Sequence, residues 1–482
     1  MKYEPVIGLE IHVELSTRSK MFCGCRVEFG GEPNTRTCPV CLAHPGALPV
    51  MNRQAIRYLT RIALALDCEI PGKSIFHRKN YFYPDLPKGY QISQYDQPFA
   101  IEGELHVGVE GEIFRVGIER VHQEEDTAKN IHAGESGRIA GSLYSLIDFN
   151  RSGTPLVEIV TKPEIHSPQA ARAFLNKLKN TLLYLDVSDC NMEEGSLRCD
   201  ANVSLKPVGA EELGVKTELK NMNSFKHLEK GLTQEIARQM ALLEEGGKVV
   251  QQTVHFDVAS GEISPLRSKE FAHDYRYFPE PDLVPLVASA EFVDEVRAEM
   301  PELPEARSRR YMETLGLPEY DAEVLTSSRN LADYYEESLG HYQDAKALSN
   351  WVMGELLGYL NATGQELSDL KVKPGQLAAL LKMVDSGGIN AKTGKEVFAE
   401  MCDTGKDPSA IVEAGGLAQI SDQSELEALI DKAIADNPGQ VEQYRGGKQQ
   451  VVGFFVGQVM KATQGRANPQ AVNELLRKKL SG

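Results

Sequence analysis

The chain has 482 residues, 41% of them apolar and 25% charged, with a formal net charge of −17. These values fit an ordinary globular protein of two to four domains. They exclude a general nucleic-acid coat, though not a local basic patch. No apolar run approaches the roughly 20 residues of a membrane span, and MKYEPVIGLE lacks a signal-peptide layout, so no membrane and a cytoplasmic location are expected.

In chain order, the first element is VIGLEIHVEL (6–15). Leu9, Ile11, Val13 and Leu15 alternate with Glu10, His12 and Glu14, which predicts a strand with one apolar face and one face that binds protons or metals. A plain solvated face is the alternative at this stage. FCGCRVEFGGEPNTRTCPVC follows. Cys23, Cys25, Cys38 and Cys41 form two close pairs around a turn-rich loop, a spacing that suits a closed, structural tetrathiolate Zn²⁺ site. The irregular stretch 79–98 concentrates tyrosines, prolines and two lysines, and reads as a substrate loop with Lys79 and Lys88 placed for phosphates.

Further strands are expected at 113–122, 154–161, 196–205 and 215–221, with helices at 168–186 and 228–247. Parity puts His122, Glu124 and Asp126 on one face and Gln123 and Glu125 on the other. Glu158 stands alone in an apolar strand, and Arg198, Asp200 and Asn202 share a face. Carboxylates packed side by side repel one another unless a cation lies between them, and Mg²⁺ with nucleotide phosphates meets that need. Arg198 suits a bidentate grip on phosphate or, equally, a structural salt bridge. There is no Walker A loop and no kinase signature. Any ATP is therefore held by a sheet and metals.

After FPEPDLVPL (278–286) the pattern becomes helical. A second break near 385–408 separates a helical tail. The expected domains are 1–290, 291–405 and 406–482. The tail is locally basic, with Lys448, Lys461 and Arg466 among its cations. RNA-backbone contact and a solvated basic face both account for that.

VIGLEIHVEL, RKNYFYPDLPKGYQISQYDQP, HQEED, DFNRSGTPLVEIV, MEEGSLRCDANVSL, ELKNMNSF, DYRYFPEPDL and GFFVGQVMKATQGRANPQ together resemble the B subunits of tRNA-dependent amidotransferases over the whole chain. Those enzymes convert Glu-tRNA(Gln) to Gln-tRNA(Gln) and Asp-tRNA(Asn) to Asn-tRNA(Asn). The resemblance implies an α+β fold: a mostly antiparallel, cradle-like catalytic domain related to glutamine synthetase, then a helical domain and a helical tRNA-binding tail. It implies phosphorylation of the side-chain carboxylate by ATP, followed by amidation. It implies His12, Glu125 and Glu158 as Mg²⁺ ligands with Glu10 beside them, and Lys79, Arg198 and Asp200 near the nucleotide or acyl phosphate. It also implies two partners, a glutamine-hydrolysing amidase A subunit that supplies ammonia and a small C subunit. A stand-alone carboxylate–amine ligase and a non-catalytic RNA-binding scaffold are the rival readings.

Overall fold

The alternation in residues 3–14 becomes a strand because Ile7, Leu9, Ile11 and Val13 are all buried on one side, while Glu10, His12 and Glu14 point to the other. The structure is a computed structural model and describes residues 2–133, 142–222, 224–258, 260–265, 275–419, 423–463 and 467–481. Two units divide the chain, Met1–Leu303 and Pro304–Gly482.

The first unit runs β1 (Tyr3–Glu14), α1 (Arg53–Ala65), β2 (Lys73–Ser74), β3 (Phe76–Asn80), β4 (Tyr90–Gln94), β5 (Ala100–Val109), β6 (Glu112–Glu125), β7 (Lys129–Ala133), β8 (Tyr144–Asp148), β9 (Pro155–Thr161), α2 (Pro168–Tyr184), β10 (Leu197–Pro207), β11 (Thr217–Met222), α3 (Phe225–Glu244), β12 (Gln252–Phe256), β13 (Ile263–Pro265), β14 (Phe278–Pro279), β15 (Leu286–Val287) and α4 (Ala290–Ala298). Eight strands make one sheet in the order β13-β12-β11-β10-β1-β9-β6-β5. Only β11 and β12 pair in parallel; the other neighbours are antiparallel. The fold is therefore mixed α and β, with a large, mostly antiparallel sheet.

Helices cover one face of this sheet. α2 starts where the Ser167 side chain accepts the Ala170 N–H and Pro168 fixes the first turn. Its buried Ala171, Phe174, Leu175, Leu178 and Leu182 recur at helical spacing and join the sheet's apolar side in one core. α3 is closed just past its end by Gly246, whose φ of 79° is left-handed; the Gly247 N–H then bonds back to the Leu242 carbonyl. With one face sealed by helices, the other is left to the polar residues of β1, β6, β9 and β10.

A small sheet, β14-β3-β4, packs beside β6. It replaces part of the irregular loop expected at 79–98, because Phe76 and Ile92 are buried in the same core and pull both chain segments into strands. The first unit also extends beyond the 290 drawn from composition. α4 packs on α1, and Met300 and Leu303 lie against the first core.

The second unit is helical among its described residues. One core joins apolar residues from Tyr311 to Val412 and contains a π-helical turn at Val352–Leu356. Ile411 and Val412 belong to it, so this core runs past the break at 405. A smaller core joins residues from Leu426 to Leu480. No described helix is long and apolar enough to cross a membrane.

Candidate functional site

Strand register assembles the site. His12 on β1 lies opposite Arg198 on β10 and Glu158 on β9, and Glu158 lies opposite His122 on β6. Four ionisable side chains from four strands thus form one row across the open face. The next row holds Asp200, Glu10, Val160 and Arg120. A register shift between Ile118 and Arg120 lets both Glu119 and Arg120 line the same cleft, as bulges commonly re-aim side chains. The cleft has a volume of about 1080 Å³.

His12 Nε2 is 3.7 Å from Glu158 Oε2 and 4.0 Å from Glu124 Oε2. One ligand atom from each of His12, Glu124 and Glu158 lies within 4.8 Å of the others, close enough to share a metal ion. Both carboxylates are buried, yet both are held ionised. Burial pushes the Glu124 carboxyl up, but Lys79, His122 and His12 outweigh it and leave it well below the usual carboxylate range. Glu158 is likewise lowered to about 2 against burial, chiefly by His122. His122 answers both, at 3.2 Å from Glu158 and 3.4 Å from Glu124, and is raised to about 9 although buried. Lys79 reaches in from β3. Burial alone would depress its ammonium, but Glu124, Tyr277 and Glu158 hold it above the ordinary lysine value. Two negative and two positive groups therefore balance around one point, and two carboxylates with an imidazole suit a divalent cation.

The expected partnership of Glu125 with His12 and Glu158 is corrected by strand parity. Glu124 faces the cleft and is fixed by Ser93 Oγ at 2.6 Å and Gln91 Nε2 at 3.2 Å. Glu125 turns to the far side of β6, accepts the Ile92 N–H at 3.1 Å and pairs with Lys88. There it lines a separate cavity of about 220 Å³, together with Cys23, Cys41 and His44. Lys88 is therefore not in the cleft with Lys79. The alternation rule placed Glu124 with His122 and could have selected it.

Glu10 accepts a hydrogen bond from Asn202 Nδ2 at 2.9 Å. Asp200 lines the cleft and pairs with Lys220 at 3.2 Å. Arg198 is engaged by Asp126 at 2.8 Å, so it makes the salt bridge rather than pointing free. Glu14, unassigned from sequence, meets the same Asp126. Burial and the neighbouring Asp126 carboxylate raise it to about 9, so it carries a proton at neutral pH. Tyr275 and Tyr277 also line the cleft, with Tyr277 stacked on Tyr95 at 4.3 Å between centroids; no periodicity marked them.

The four loop cysteines converge, with ligand atoms within 4.8 Å of one another. Cys41 is pushed down to about 4, first by a hydrogen bond from Cys23, then by the Cys38 N–H and the Lys20 ammonium. Lys20 itself is buried, 3.6 Å from Cys41 Sγ and 3.0 Å from the Phe149 carbonyl. Four convergent thiols with one already favoured as thiolate suit Zn²⁺. In the tail, Lys448 and Lys461 are exposed; Arg466 lies outside the described residues.

The fold and cleft define a class: a sheet-borne carboxylate–histidine centre backed by helices, with no P-loop. The family model described as the GatB/GatE catalytic domain matches residues 5–294, and that described as the GatB domain matches residues 333–480. The chain belongs to the GatB family. It is 55% identical over its whole length to the B subunit of the aspartyl/glutamyl-tRNA(Asn/Gln) amidotransferase of Carboxydothermus hydrogenoformans, of which 99% is covered. It is 54% identical to the protein of the same name from Geotalea daltonii, with both chains covered in full.

Proposed function

We propose that this chain is the B subunit of a glutamine-hydrolysing aminoacyl-tRNA amidotransferase and activates the side-chain carboxylate of Glu-tRNA(Gln), Asp-tRNA(Asn) or both with ATP. The observation that carries this is the row of His12, Glu158 and His122 with Glu124 and Lys79 at one point of a large open cleft. The name that the relatives carry, that of an amidotransferase B subunit, supports the same reading and a multi-subunit assembly.

His12, Glu124 and Glu158 would hold Mg²⁺, which when bound neutralises phosphate charge and aligns oxygens for transfer. Lys79 offsets negative charge that develops on the transferring phosphoryl group. His122, held cationic by Glu124 and Glu158, keeps both carboxylates ionised and oriented. The γ-phosphoryl group moves from ATP to the substrate carboxylate, giving an acyl phosphate and ADP. Ammonia then attacks the acyl carbon and phosphate leaves, giving the amide. The ammonia comes from a partner amidase subunit, with a small third subunit completing the assembly. Glu10, Arg198 and Asp200 border the reacting groups. The sheet acts as a glutamine synthetase-like cradle, the cysteine quartet holds structural Zn²⁺, and Lys448, Lys461 and Arg466 of the tail meet tRNA phosphates in the cytoplasm.

Purification with the partner subunits, followed by assay of each misacylated tRNA, tests this reading. Amidation that requires ATP and glutamine is expected. Amidation of free glutamate or aspartate at the same rate, or none with either charged tRNA, would refute it.

A further inference from the structure

Lys20 is a buried cation with no carboxylate to meet it. The residue is 1% exposed and, among the described residues, its ammonium makes no ion pair with an Asp or Glu. Lysines are almost never buried so completely unless they are paired. Glu125, which lines the same cavity, is already taken by Lys88. Two acceptors face the ammonium: the Phe149 carbonyl at 3.0 Å and Cys41 Sγ at 3.6 Å. A carbonyl accepts a hydrogen bond but cancels no charge, so the counter-charge has to come from the sulfur side. The backbone holds the pair in place. The Lys20 N–H bonds to the Cys25 carbonyl at 2.9 Å, and the Met21 N–H to the Gly153 carbonyl at 2.7 Å. Gly153, at a left-handed φ of 86°, packs so closely that an added Cβ would lie 3.5 Å from Lys20 Cδ and 3.8 Å from Cys41 Cβ.

Building on the zinc reading of the quartet above, we propose that Lys20 is the built-in counter-cation of that centre: its ammonium, bonded to the Cys41 sulfur, offsets the net negative charge that four thiolates keep after binding one Zn²⁺, and so sets how tightly the metal is held. Cys41 is the sulfur that most needs such a partner. It is the buried member of the quartet, and the Cys38 N–H that reaches it at 3.2 Å is a dipole where a full charge is called for. An ammonium at this position also draws electron density from the sulfur, so Cys41 donates less strongly to the metal than an unassisted thiolate does. The same ammonium holds the Phe149 carbonyl, which ties the metal loop to the segment leading into β9.

Two substitutions test the assignment. Lys20→Met keeps most of the length of the stem and loses the charge. Lys20→Gln loses the charge but keeps an N–H donor for the Phe149 carbonyl. In the complex with its partner subunits, competition with a chromogenic chelator should show Zn²⁺ bound at least tenfold more weakly in both variants. With Co²⁺ in place of Zn²⁺, the sulfur-to-metal charge-transfer band should move to lower energy in both, a shift that a purely structural role would not produce. Zn²⁺ affinity within threefold of wild type in both variants would overturn the inference. So would weaker binding with an unmoved band, or a loss confined to Lys20→Met, which would assign Lys20 to the Phe149 carbonyl alone. A wild-type complex that binds no Zn²⁺ would overturn the zinc reading itself, and the role of Lys20 with it.

Discussion

Replacing Glu124 by Gln removes one of the two carboxylates facing His12 and leaves the side-chain volume almost unchanged. The amide oxygen still accepts a hydrogen bond from Ser93, now 2.6 Å from the carboxylate, but the full negative charge is gone. At an effective dielectric near 20, a unit charge pair at ~4 Å is worth about 4 kcal/mol. The amide dipole recovers part of this, so a net loss of about 3 kcal/mol, or ~100-fold in cation affinity, is expected. Mn²⁺ serves as the probe because free Mn²⁺ is counted directly by its electron paramagnetic resonance signal, and thiolates of the cysteine loop do not compete for it. Glu125→Gln is the matched control on the same strand. It loses the pair with Lys88 on the other side of β6, so its Mn²⁺ affinity should stay within threefold of wild type. A tenfold loss in Glu125→Gln, or less than a threefold loss in Glu124→Gln, would refute the placement of the cation centre.

The Glu14 carboxyl, raised to about 9, stays protonated at pH 7 while the unfolded chain ionises it, so Glu14→Gln, which cannot ionise in either state, should raise stability there. A raised folded-state value contributes stability in full below the unfolded value of 4.5 and loses it as pH climbs through about 9; the Gln variant should flatten that part of the stability–pH curve measured by denaturant melts. Asp126→Asn should instead cost about 1–2 kcal/mol, because the half-exposed Arg198 loses its charged hydrogen bond; urea midpoints provide the measurement. Metal analysis should find Zn²⁺ on the cysteine quartet, and Cys41→Ser should lower Tm by ~5 °C or more by releasing the loop. Deleting residues 423–482, which removes the last core alone, should raise KM for charged tRNA at least tenfold and leave MgATP affinity unchanged. Equal loss of both would show that the tail supports the fold of the cleft instead.

Much of the site was legible because period-two patterning survives folding. The polar faces of β1, β6 and β10 were set by alternation alone, and all three ended in the same cleft. What alternation does not carry is which strands become neighbours. That β1 sits between β9 and β10 joins segments far apart in sequence, and only that pairing brings His12 against both Glu158 and Arg198. The same limit hid Ser93 and Gln91, which reach Glu124 from β4 across a contact between two sheets. The resemblance points to Glu125, whereas parity groups Glu124 with His122, and the side chain found beside His12 and Glu158 is that of Glu124.

Because Glu124 and Glu125 are consecutive, β6 is a partition one strand thick, with a different chamber on each side. Its two acidic residues are not interchangeable copies. In genetic terms, a substitution at either one damages a single chamber, whereas inserting or deleting one residue upstream in the strand inverts its facing and damages both. A library of length variants across 118–125 should therefore be far less tolerant than a library of point substitutions over the same segment.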